Sequence, residues 1–106
     1  NNDMNFPDFY KIIDQLPDED IRSAAVMMKA AWCHYEQQRL FAKHKEDRPD
    51  LTSVVIVSYG VFPTFEVVAT FSDGTRMSEK YEAGLFQDDA ETTLSHILAL
   101  YDHRND

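Results

Sequence analysis

Residues 65–81 constrain the fold more than any other stretch of the chain. Phe65, Val67, Ala69 and Phe71 alternate with Glu66, Val68 and Thr70, the period-two pattern of a strand that turns one face to a core. Ser72, Asp73 and Gly74 then punctuate the run, and a second extended run follows to Tyr81. A slip of one residue turns a strand over, so the side chains choose the loop length. A two-residue loop places Arg76 beside Phe71 on the apolar face. A three-residue loop with Gly74 in the left-handed conformation pairs Phe71 with Thr75, Ala69 with Met77 and Phe65 with Tyr81. It also sets Glu66 opposite Lys80 and Glu79 beside Val67. The three-residue loop is therefore expected, with the third strand over residues 75–81.

A lone hairpin is marginal in water, and the flanking sequence supplies what it lacks. Pro49 and Asp50 turn the chain into a strand over residues 52–59, where Val54, Val55, Ile56 and Val57 are apolar on both faces and call for cover on both. In a simple meander this most apolar strand is an edge. A helix covers it, the strand order differs, or a second copy pairs along Val54, Val55, Ile56 and Val57 to give a homodimer.

Upstream, Phe6, Phe9, Tyr10, Ile13 and Leu16 recur at helical spacing, with Asn5 as N-cap, Pro7 in the first turn and Pro17 as the stop. A second helix starts at Asp18, with Glu19 and Asp20 at the positive end of its dipole. From Ile21 to Cys33 only Arg22, Ser23 and Lys29 are polar, so this half is expected to be enclosed on most of its circumference. Arg22, Lys29, Glu36 and Lys43, seven residues apart, are expected to form the solvent stripe. Run to Lys45, the helix is about 40 Å long at ~1.5 Å per residue, longer than such a domain is wide, so its polar, basic second half is expected to project or bend. Downstream, Asp88 and Glu91 form an acidic capping box ahead of Ala90, Leu94, Ile97, Leu98 and Tyr101 on one helical face.

These elements predict an α+β fold: two N-terminal helices, a three-stranded antiparallel meander and a C-terminal helix, with the helices packed on one sheet face. The 106 residues suit a single domain, with residues 1–5 and 103–106 as frayed tails.

The formal charge of −9 is unevenly spread: −5 over residues 1–20, +3 over residues 21–48 and −7 over residues 49–106. Such a chain repels nucleic acid and anionic membrane and attracts basic surfaces. Asp88, Asp89 and Glu91 stand where an RNA-binding helix would offer basic residues to phosphates, so no direct nucleic-acid contact is expected. Cys33 is the only cysteine, which excludes an internal disulfide. No apolar run is long enough to span a bilayer and no basic-then-apolar leader opens the sequence, so a soluble, cytoplasmic protein is expected.

Chemistry-bearing constellations are sparse. Gly60, Gly74 and Gly84 are dispersed and form no phosphate-binding loop. His34, His44, His96 and His103 include no i, i+4 pair for zinc, and adjacent Cys33 and His34 point about 100° apart on a helix. Neither metal nor cofactor is expected. The acids at residues 18–20 and 88–91 read first as helix caps.

Two features point to a protein partner. The loop Tyr59, Gly60, Val61, Phe62, Pro63 carries two aromatics where a hairpin connection is normally polar. Asp88, Asp89 and Glu91 add an acidic helix end. Tyr59, Val61, Phe62, Asp88, Asp89 and Glu91 are thus the expected contact residues of a small, non-enzymatic protein-binding module acting on a basic macromolecular surface, as an inhibitor, immunity or nucleic-acid-mimic protein. The alternatives are a small ligand-binding or enzymatic subunit with a pocket near Glu79, Cys33 and His34, and a self-assembling accessory subunit.

Overall fold

The computed structural model describes residue 15 and residues 19–59, 63–83 and 89–106. The expected helix between Phe6 and Leu16 lies outside the described residues, apart from Gln15. Within them the chain runs α1 (Glu19–His44), β1 (Leu51–Ser58), β2 (Thr64–Phe71), β3 (Arg76–Glu82) and α2 (Ala90–Asp102), an α+β arrangement. The three strands form one antiparallel sheet in the order β1-β2-β3.

The hairpin has the expected register. Phe65 pairs with Tyr81, Glu66 with Lys80, Val67 with Glu79 and Ala69 with Met77. The Phe71 amide donates to the Thr75 carbonyl at 2.9 Å, which leaves Ser72, Asp73 and Gly74 as the loop, and Gly74 holds φ at 90°. A side chain at that φ would be strained, which is why glycine closes the turn.

Register decides which face is covered. Leu51, Val54 and Ile56 of β1 share a face with Phe65, Val67, Ala69 and Phe71 of β2 and Tyr81 of β3, and all eight belong to one buried cluster with Cys33 and Leu40 of α1 and Leu94, Ile97, Leu98 and Tyr101 of α2. Both described helices therefore cover this face, α1 over β1 and α2 over β2 and β3. The other face differs from the expectation of cover on both sides of β1: Val55 and Val57 are exposed. A register irregularity between Leu51 and Ser53 admits an extra residue, after which Val54 and Ile56 point inward and Val55 and Val57 outward.

The edge of β1 is closed in part by a side chain. The Ile56 amide donates to Gln37 Oε1 of α1 at 2.8 Å, so the helix takes up a ladder donor that a neighbouring strand would otherwise use.

The helix departs from the expectation for its two halves: Ala25, Lys29 and Cys33 of the first half are buried, but only one side of it is enclosed. It runs unbroken for 26 residues, about 39 Å, against about 26 Å for the eight residues of β1. Gln37 lies at Ile56, Cys33 lies near Ser58 at the end of β1, and Lys29 Nζ sits 4.9 Å from the centre of the Phe65 ring. Those contacts step toward one end of the sheet, so the apolar first turns continue past it while the polar second half docks. Ile21, Met27, Met28 and Tyr35 are 49%, 74%, 62% and 58% exposed. The expected solvent stripe is also displaced. Of its four members only Lys43 is exposed, and Lys29 is 1% exposed. The long lysine stem lies along apolar surface and carries its ammonium onto an aromatic face, an arrangement that residue spacing does not reveal.

The last helix follows its predicted face: Ala90, Leu94, Ile97, Leu98 and Tyr101 are all buried. Its cap falls one residue later than expected. Asp89 is the N-cap, accepting from the Thr92 amide at 2.7 Å, and Glu91 turns instead to α1. Residues 103–106, read from sequence as a tail, lie beside α2, where Arg104 Nη1 donates to the Tyr101 carbonyl at 2.6 Å.

Candidate functional site

The strand ends away from the β2–β3 turn set Tyr59, one of the expected contact residues, among charged side chains of β2 and β3. The β1–β2 register pairs Val57 with Glu66, which makes Tyr59 a diagonal neighbour of Glu66 on the open sheet face. The exposed Tyr59 hydroxyl donates to Glu66 Oε1, and Lys80 Nζ sits 5.0 Å from the centre of the Tyr59 ring. Thr64 pairs with Glu82, so a second carboxylate lies across the sheet on the same face. The hydrogen bond holds the Glu66 carboxyl below its usual range, helped by Ser78 and by the charge of Lys80, and pushes the Tyr59 phenol up.

The remaining expected residues divide. Val61, Phe62 and Asp88 lie outside the described residues. Asp89 is exposed at the start of α2, where its side chain caps the helix. Glu91 is engaged within the fold: its oxygens lie 2.6 Å from Lys43 Nζ and 2.6 Å from His44 Nε2, tying the start of α2 to the end of α1. The Glu91 carboxyl is held below its usual range; burial raises it, and the hydrogen bonds and charges of Lys43 and His44 outweigh that.

Many other acids are engaged in the same way, which the formal charge does not convey. Arg48 joins Asp50 at 3.0 Å to Asp102 at 2.8 Å, linking the start of β1 to the end of α2. Asp73 accepts from the Thr75 amide at 2.9 Å and from the Tyr101 hydroxyl at 2.8 Å, with Arg104 at 3.4 Å. Those donors, the Thr75 amide first, hold its carboxyl down to about 2. Glu36 takes both guanidinium contacts of Arg39, at 2.8 and 2.9 Å.

Cys33, His34 and Glu79 are not brought together. Cys33 is buried against Ser58, and loss of solvation pushes its thiol up to about 11, against the opposing pull of Lys29 and Ser58. His34 points outward and contacts Gln38 at 3.1 Å. Glu79 reaches His96 Nδ1 of α2 at 2.7 Å, an exposed link between β3 and α2 at the sheet margin. The amine of Lys29 lies near Cys33, and burial lowers its pKa. Among the described residues no group of three or more His, Cys, Asp or Glu side chains could hold a metal ion, and no helix is long and apolar enough to cross a membrane.

Gln37, Arg48 and the Tyr59–Glu66 pair escape a reading of periodicity. The last had a signal: carrying the hairpin register one strand further places Tyr59 beside Glu66. Gln37 and Arg48 had none, since each meets a partner brought close only by the packing of a helix. Comparison with protein-family models, with curated proteins and with solved structures gives no match for this chain.

Proposed function

We propose that the chain is a small, non-enzymatic protein-binding module that docks on a basic surface of another macromolecule. Inhibition of a protein whose own ligand is a polyanion is its most specific form. The observation that carries the reading is the exposed Tyr59 ring, set on the open sheet face with the carboxylates of Glu66 and Glu82 on the same face and Asp89 opening α2. An aromatic ring offers contact area at low entropic cost, and surrounding carboxylates steer a basic partner and orient it. Val61, Phe62 and Asp88, close in sequence to Tyr59 and Asp89, complete the proposed contact set. Lys80 on the Tyr59 ring favours a partner that brings its own carboxylate or carbonyl there.

Affinity capture from the native host, followed by rebinding of the purified pair, tests the proposal. Tyr59→Ala should weaken rebinding by at least ~10-fold, the loss expected of an aromatic anchor. Glu82→Lys with Asp89→Lys should weaken it further and flatten its salt dependence. A protein partner indifferent to all three changes would refute this face. Copurification of a small ligand with no protein would refute the module.

A further inference from the structure

The outward face of α1 carries a second pattern, independent of the proposed docking face. Ile21, Ala24, Met28, Ala31, Tyr35 and Gln38 follow one another in alternating steps of three and four residues, and all six are exposed. This is the spacing of a helix–helix seam. It lies on the side of the helix away from Cys33 and Leu40, which face the sheet. Large and small side chains alternate along it, with Ala24 and Ala31 set between Ile21, Met28 and Tyr35.

We infer that this seam pairs with the same seam of a second copy of the chain, the two α1 helices running antiparallel about a twofold axis level with the Lys29–Ala30 peptide. Size complementarity sets the direction. In this register Met28 faces the partner's Ala31 and Ala24 faces the partner's Tyr35, so a bulky side chain meets an alanine in each of these layers. Parallel pairing would stack Met28 on itself and leave alanine opposite alanine, with voids between.

Charge selects the occupant. The helix opens on Glu19 and Asp20, and its last turns carry Arg39 and Lys43. Antiparallel pairing brings each acidic end level with the partner's Arg39, and it opposes the two helix dipoles. Arg39 is held by Glu36 on one side, yet its side chain stays 43% exposed and can reach a second carboxylate. A twofold contact is self-complementary, so one chain supplies both halves. The seam from Ile21 to Gln38 is about 26 Å long, short for a stable interface, so the dimer is expected to be weak and to form only at high concentration.

Sedimentation equilibrium on the full chain from about 10 µM to about 1 mM, the range in which weak association is read, should show the mass rise from 12.3 kDa toward twice that value. Met28→Glu should raise the dissociation constant at least ~100-fold, because the twofold axis introduces the charge twice. Its circular dichroism should be unchanged, since Met28 touches solvent; Ala31→Glu is the second variant on the same seam. Raising salt to ~1 M should weaken the dimer several-fold. For direction, Ala24→Cys and Tyr35→Cys chains oxidised as a mixture should give predominantly the mixed disulfide, with buried Cys33 unreactive. A chain that stays monomeric at the top concentration, a dimer that survives both glutamates, or disulfides of like with like would each overturn the inference.

Discussion

Between Gln37 and His44, α1 is fastened to the rest of the fold: Gln37 holds the Ile56 amide, Leu40 is buried in the shared core, and Lys43 and His44 hold Glu91 of α2. Between Glu19 and Met28 the same helix extends past the end of β1, burying Ala25 on one side and showing Ile21, Met27 and Met28 to solvent on the other. The fastened part is the more polar of the two. The contrast teaches that a docked helix needs only a few buried anchors, provided that its polar side chains meet partners, and that mean hydropathy does not locate the docked half. Because the helix is unbroken, the docked half also fixes where the projecting half points.

The largest test of this contrast is a pair of truncations. Leu40→Ala removes a side chain at 0% exposure and should cost about 2–5 kcal/mol. Met28→Ala, in the projecting half, should stay within about 0.5 kcal/mol. Urea unfolding of the two variants at a concentration where the chain is monomeric measures both. Equal losses would mean that the first turns are held as tightly as the last.

Gln37 tests the docked half more finely. Gln37→Leu keeps the bulk and removes the acceptor, leaving the part-buried Ile56 amide without its 2.8 Å partner. The expected cost is about 1–3 kcal/mol, that of an unsatisfied buried donor. Amide exchange should quicken at Ile56 more than at Val54 or elsewhere in β1. Unchanged exchange at Ile56 would show that the helix does not close the strand edge.

How far these contacts were legible follows from the distance over which each is determined. The β2–β3 register was readable because period-two alternation and Gly74 constrain it within one hairpin, and it correctly placed Glu79 beside Val67 and Glu66 opposite Lys80. The buried face of α2 was readable for the same reason, since its apolar positions recur on one side. The orientation of α1 was not, because its first half is apolar nearly all round and periodicity cannot choose a face there. Lys29 shows the difficulty: a charged residue in a seven-residue series reads as solvent-facing, whereas it is buried with its amine over the Phe65 ring, 36 residues along the chain. In the candidate site, Tyr59 and Asp89 were singled out by residue type alone and are exposed, whereas Glu91 was assigned to a surface although Lys43 and His44, far from it in sequence, hold it.

The smallest expected effect concerns the end of the sheet opposite the projecting helix, where Asp73 fastens the hairpin turn to α2. Its carboxyl is held down to about 2, from the usual 3.8, because the Thr75 amide and then the Tyr101 hydroxyl donate to the charged form. A lowered carboxylate pKa means that the unfolded chain binds a proton more readily between those two values. The stabilisation is therefore complete above about pH 4, and it drains away as the pH falls through about 2. Asp73→Asn removes the charge but keeps the shape, so it should be less stable than the parent at pH 7 by less than Gln37→Leu, and the gap should narrow steadily below pH 4, as order-of-magnitude linkage requires. Other carboxylates held low, among them Asp50 and Glu91, weaken both proteins alike in acid, so the difference between the two unfolding curves isolates Asp73. A gap that persists undiminished at about pH 2 would show that the turn is held by shape and by the Phe71–Tyr101 stack, whose ring centres lie 3.7 Å apart, and not by the charge.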